Sequence, residues 1–136
     1  MCINHVLEES LAGFYGALTA KGITPEISMT EEKVERDLNR AALQRVIGNV
    51  LSNALKYSDG DLRITLGEDG ELVFSNTSAA LDELQVGRLF DRFFTVETAH
   101  NSHGLGLSIA KVLTEQMGGK IWAEYDSPIF SVHVKF

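Results

Sequence analysis

Cysteine occurs once in the 136 residues, at Cys2, so no intrachain disulfide can form and no cysteine-rich metal site is available. Such scarcity fits a reducing compartment. Proline is almost as rare, at Pro25 and Pro128 only, and no Pro-rich linker divides the chain. No apolar run approaches the roughly 18 residues of a membrane-spanning helix. No basic leader precedes an apolar stretch at the start, so no export signal is legible. The expected location is the cytoplasm, although a longer protein containing this segment can be membrane-anchored. Basic residues are outnumbered, 12 against 19 acidic, for a formal charge of −7. Binding to nucleic acid or to an anionic membrane depends on a Lys/Arg excess, so neither is an expected partner. A small anionic ligand stays compatible, because a nest of backbone N–H groups can hold phosphate on an acidic protein.

What is present is a folded composition, 44% hydrophobic, at a length that suits one core and one domain over residues 1–136. Residues 4–20 carry Val6, Leu7, Leu11, Phe14, Tyr15 and Leu18 at helical spacing, closed by Lys21-Gly22. Residues 23–29 alternate around Pro25 and predict a short edge strand; residues 30–37 are charged and predict a turn region. Asn39 stands at an N-cap position before the clearest helix, Arg40 to Tyr57, whose apolar face is Leu43, Val46, Ile47, Val50, Leu51, Ala54 and Leu55. Two strands, residues 62–66 and 71–75, flank the hairpin turn Glu68-Asp69-Gly70, and residues 76–81 read as a loop. Residues 82–94 mix short helical periodicity with phenylalanines, and residues 95–103 have no periodicity. A second clear helix spans residues 104–117, and residues 120–125 and 129–136 form a last hairpin around Asp126-Ser127-Pro128. Hairpin-paired strands with helices massed on one face predict an α+β fold. It is a two-layer sandwich with a mixed, mostly antiparallel sheet covered on one face by helices.

Three constellations carry chemistry. Asn49, Asn53 and Lys56 recur at i, i+4 and i+7 with Tyr57 beside them, a polar stripe bordering the apolar face. Amide oxygens suit Mg²⁺ and an ammonium suits phosphate oxygens. The same stripe reads equally well as a solvated helix face carrying two asparagines. His103-Gly104-Leu105-Gly106-Leu107 opens a helix through glycines, which lets backbone N–H groups approach an anion at the positive end of the helix. A flexible helix entry explains the glycines as well. Leu89-Phe90-Asp91-Arg92-Phe93-Phe94 sets an arginine among aromatics; core packing accounts for the phenylalanines, and Arg92 stays as a candidate for phosphate.

Taken together and in this order, the three resemble the sensor histidine kinase ATP-binding domain. The run from Arg45 to Ser58 is similar to its N box, Leu89 to Phe94 to its F box, and Gly104-Leu105-Gly106-Leu107-Ser108-Ile109-Ala110-Lys111 with Met117-Gly118-Gly119 to its second glycine box and following helix. The resemblance implies the Bergerat-type sandwich shared with gyrase, heat-shock chaperone and mismatch-repair ATPases. It also implies ATP held between helices beneath a lid, here residues 94–102. By the same resemblance Asn53 ligates Mg²⁺ with Asn49 near the ion and phosphates, Lys56 meets phosphate oxygens, Tyr57 lies against the nucleotide, and Asn76 faces the adenine amino group. Arg92, Gly104, Leu105, Gly106 and Leu107 complete the nucleotide site. Hydrolysing relatives carry a Glu general base where Asn49 stands, and an amide cannot take a proton from water at neutral pH. That favours transfer of the γ-phosphoryl group to a protein nucleophile.

The chain departs from the pattern at Asn76-Thr77-Ser78-Ala79-Ala80, where an Asp-x-Gly-x-Gly first glycine box is usual, and at Ser102, where a further Gly is usual. These departures predict weak nucleotide affinity or an altered pocket. The family's phosphoacceptor is a His followed by an acidic residue on a dimerising helical hairpin, and no such pair stands here. His5, His100, His103 and His133 read as surface or packing residues. The implied partners are therefore ATP, a separate dimerisation domain of the same kinase and, indirectly, a response regulator. The chain alone is not expected to autophosphorylate. Residues 1–22 read either as the first helix of the domain or as the linker before it. Two other readings stay open: an anti-sigma-factor type serine kinase of the same fold, and a nucleotide-free pseudokinase or interaction module.

Overall fold

A computed structural model describes residues 1–91 and 106–136. The first helix, α1 (Ile3–Ala20), buries Ile3, Val6, Leu7, Leu11 and Leu18 and ends at Gly22, whose φ of 71° is one that L side chains rarely adopt. Tyr15, expected on the buried stripe, is instead 70% exposed. It lies at the margin of the stripe beside the exposed Ile27, where the sheet offers no further cover. Asn4 is buried and ties the following irregular segment to α1. Its Nδ2 donates to the Thr30 and Glu32 carbonyls and its Oδ1 accepts from the Val34 N–H at 2.9 Å.

The edge strand β1 (Glu26–Met29) starts only after Pro25. Asn39 caps α2 (Arg40–Tyr57) as its position predicts, Oδ1 accepting from the Ala42 N–H at 2.9 Å. Lys21 then reaches across from α1 to donate to the Leu55 carbonyl in the last turn of α2. After β2 (Arg63–Leu66), strand β3 (Glu71–Thr77) runs two residues beyond its expected end. Asn76 and Thr77 were expected in a loop, but β5 (Ile129–Lys135) pairs with both, through Phe130 and Ile129. A partner strand from the far end of the chain thus overrides the polar local composition.

The one-turn helix α3 (Glu83–Val86) begins with a capping box between Asp82 and Gln85. Helix α4 (Gly106–Gln116) and strand β4 (Lys120–Asp126) complete the elements. The expected helix start at residues 104–105, and the expected lid, lie outside the described residues.

The sheet order is β1-β2-β3-β5-β4, parallel only between β1 and β2. Ile64, Phe74, Val132 and Ala123 form one cross-strand row on the face that carries the core. That face is covered by the helices, so the expected α+β sandwich with a mixed, mostly antiparallel sheet is what forms. The turn from α4 to β4 is tight. A Cβ at Gly119 would lie 2.6 Å from the Phe136 ring and 2.7 Å from the Lys135 carbonyl oxygen. Gly16, inside α1, has open space around it. Opposite effects follow from one substitution type. In urea unfolding, Gly119→Ala should lose about 1–3 kcal/mol through overpacking. Gly16→Ala should gain about 0.5–1 kcal/mol of helix propensity.

Candidate functional site

Helix α2 positions the polar stripe because the apolar face it borders is committed to the core. Val46, Ile47, Val50 and Leu51 are fully buried, so the helix cannot rotate without exposing them. The Asn49 amide Nδ2 donates to the Gly106 carbonyl at 2.9 Å and so clasps the first residue of α4. One turn on, Asn53 is 8% exposed, and its Oδ1 is buried without a hydrogen-bond partner among the described residues. A buried acceptor without a partner costs free energy, on the order of 1–3 kcal/mol. Lys56 follows on the same side, its Nζ 5.1 Å from the centroid of the Tyr57 ring, and burial lowers its pKa below the ordinary 10.5. Tyr57 itself is buried. Of the two asparagines expected at the metal, the amide nitrogen of Asn49 is engaged, and the oxygen of Asn53 has no partner among the described residues.

Asn76 lies on the helix-covered face of β3, in line with Leu72 and Phe74, and is 2% exposed. Its Nδ2 donates to the Thr77 carbonyl at 3.2 Å. The residues after it carry no glycine, and the loop is held by side chains instead. Asp61 accepts from the Thr77 N–H at 2.7 Å and from the Thr77 hydroxyl at 2.8 Å. Asp59 accepts from the Ala79 N–H at 2.8 Å, and its own N–H donates to the Thr77 carbonyl. The buried Ser78 donates its N–H to the Pro128 carbonyl and accepts the Tyr125 hydroxyl at 2.9 Å. Desolvation works to raise the Asp61 pKa, but the bonds from Thr77, its own backbone and Ser58 outweigh it and leave the carboxyl below its usual range. A depressed carboxylate stabilises the fold above its ordinary pKa, and that contribution is lost as pH falls through the lowered value.

Sequence reading missed Asp59 and Asp61 as holders of this loop, since Ser58-Asp59-Gly60 reads only as a turn that ends the helix. The signal available was a pair of carboxylates around Gly60, whose φ of 138° fixes the bend. Gly106 and Leu107 open α4, with Leu107 buried and Gly106 exposed. Arg92, Gly104 and Leu105 lie outside the described residues. Of the histidines, His5 is exposed on α1 and His133 stacks on Trp122 with centroids 4.9 Å apart, while His100 and His103 lie outside the described residues.

The profile of the family described as histidine kinase-, DNA gyrase B-, and HSP90-like ATPase matches residues 38–136. The chain belongs to that family. Sensor histidine kinase YcbM of Bacillus subtilis (strain 168) is 30% identical across 98% of this chain and 47% of its own length. The mycobacterial sensor histidine kinase MprB shares the structure with a TM-score of 0.81 at 26% identity, covering 98% of this chain and 93% of that one. The catalytic domain of histidine kinase ThkA has the same fold, with a TM-score of 0.83 at 22% identity, covering 100% of this chain and 94% of that one. The chain spans about half the length, or less, of the curated relatives it matches. Among the described residues no helix is long and apolar enough to cross a membrane.

For a member of this ATPase family, the orphaned oxygen of Asn53 has a stability consequence that needs no ligand to observe. Asn53→Leu exchanges an unpaired acceptor for an apolar group of similar size. The unliganded variant should be more stable by about 1 kcal/mol, read as a higher urea midpoint at unchanged slope.

Proposed function

We propose that this chain is the ATP-binding catalytic domain of a two-component sensor histidine kinase. It would position Mg-ATP for γ-phosphoryl transfer to a histidine on a helical dimerisation domain of the longer protein. The observation that carries the proposal is the buried Asn53 Oδ1, which has no partner among the described residues and lies one turn from the Asn49 clasp on α4. The family profile and the sensor kinase relatives support it. They favour it over a serine kinase of the same fold. The domain comprises residues 1–136, with α1 as its own first helix rather than a linker, an assignment supported by the burial of Ile3, Val6 and Leu7. The chain is read as cytoplasmic, with the response regulator reached only through the dimerisation domain.

A hard cation prefers oxygen donors, and Asn53 offers an unpaired one, so the donor fits Mg²⁺. Bound there, Mg²⁺ supplies neutralisation of charge on the phosphate oxygens. Lys56 adds a point charge for the same oxygens, and its lowered pKa records the desolvation that strengthens such a contact. Asn49 keeps the N-terminal end of α4 next to α2, so that the N–H groups at Gly106 and Leu107 can face phosphate. Tyr57 lies against the nucleotide, and Arg92, Gly104 and Leu105 are assigned to the phosphate side. Asn76, with its nitrogen spent on the Thr77 carbonyl, offers the base an acceptor oxygen. No carboxylate stands at Asn49 to take a proton from water, so the site is built to position phosphate rather than to hydrolyse it.

Calorimetric titration with a non-hydrolysable ATP analogue tests this reading. Saturable binding that weakens when Mg²⁺ is removed is expected. Lys56→Met should cost the 10- to 100-fold typical of a charge-assisted phosphate bond. Absence of binding up to millimolar analogue, with the chain folded, would reassign the domain as a pseudokinase or interaction module.

A further inference from the structure

A single turn connects the phosphate end of the site to its base end. Ser58 caps α2 directly after Lys56 and Tyr57, and its hydroxyl accepts the Gly60 and Asp61 N–H groups at 3.0 and 2.9 Å. Asp61 then grips Thr77 with both carboxylate oxygens, and Asp59 fixes Ala79 and the Thr77 carbonyl. That carbonyl is also the acceptor for Asn76 Nδ2. An amide has two orientations of nearly equal shape, one presenting oxygen and the other nitrogen. What selects between them here is the direction of the Thr77 carbonyl, which accepts from the Asp59 backbone N–H while the Asp61 carboxylate holds the N–H and hydroxyl of the same residue and the Asp59 carboxylate holds the Ala79 N–H after it.

We propose that Asp61, assisted by Asp59, is a positioning residue for base selectivity: through Thr77 it holds the Asn76 amide with its oxygen toward the nucleobase, favouring a purine with an exocyclic amino group over one with a carbonyl there. The inference rests on the nucleotide-binding reading above and adds a role that the sequence pattern does not assign. Adenine presents an N–H donor at that position and guanine an acceptor, so an amide free to turn would serve either base. Ser58, Thr77 and Gly60 set the geometry but need not touch the ligand.

The test compares wild type, Asp61→Ala, Asp61→Asn and Thr77→Val in titrations with Mg²⁺ and three probes: a non-hydrolysable ATP analogue, the matching GTP analogue and inorganic tripolyphosphate. Wild type should prefer the ATP analogue. Asp61→Ala should lower its affinity by up to about tenfold, the worth of one neutral hydrogen bond, and narrow the ATP-over-GTP ratio by at least that factor. Tripolyphosphate binding should stay unchanged. Asp61→Asn, which keeps one acceptor oxygen, should recover part of the ratio. If Asp61→Ala does not fold, Thr77→Val decides, since it keeps the N–H bond to Asp61, removes the hydroxyl, and should show a smaller narrowing in the same direction. An unchanged ratio in a folded variant, or an equal loss for all three probes, overturns the positioning role while leaving nucleotide binding intact. Failure of wild type to bind either nucleotide would overturn both.

Discussion

The packing of α2 against the sheet is the constraint from which the rest follows. Leu43, Val46, Ile47, Val50 and Leu51 are fully buried, each contributing about 1.5–3 kcal/mol on leaving water. That burial fixes the rotation of the helix about its axis. With rotation fixed, Asn49, Asn53 and Lys56 have one direction available, and Asn49 meets α4 at Gly106. The core and the site are thus two faces of one helix. A change that loosened the core would also misdirect the polar stripe.

Free energy is held against stability at that stripe. An amide oxygen without a partner in a packed interior is costly, and a lysine whose pKa is lowered by burial disfavours the folded state wherever it is charged. The two groups stand three residues apart on one helix, which is why the proposed function places a cation at the oxygen and phosphate near the ammonium. The opposite end of the site is arranged differently. Around Asn76 the polar groups are satisfied by one another, and rigidity replaces the flexibility that glycines would have given.

Elements with strong local signals were legible in the sequence. The Asn39 cap, the span of α2, the β2–β3 turn and the final hairpin all followed from periodicity and turn chemistry, because each depends on neighbours within a few residues. What escaped depends on distant partners. Asn76 and Thr77 extend β3 only because β5 returns alongside them, and Tyr15 is exposed because the sheet ends near Ile27. The loss of glycines in the loop after Asn76 predicted weak nucleotide affinity or an altered pocket. The carboxylates that hold that loop lie just after α2, and no local pattern links Asp61 to Thr77. Within the site, spacing identified Asn49 and Asn53 together. Only the structure separates the amide that holds α4 from the one with an unpaired oxygen.

The proposed function turns on Asn53 Oδ1, which has no partner among the described residues, as a ligand for a metal ion carried with a nucleotide. A crystal structure of the chain with Mg²⁺ and a non-hydrolysable ATP analogue tests it most directly. The account predicts that Asn53 Oδ1 would be among the oxygen ligands of the ion. An analogue bound with the ion coordinated elsewhere, and Asn53 Oδ1 outside its coordination sphere, would contradict it.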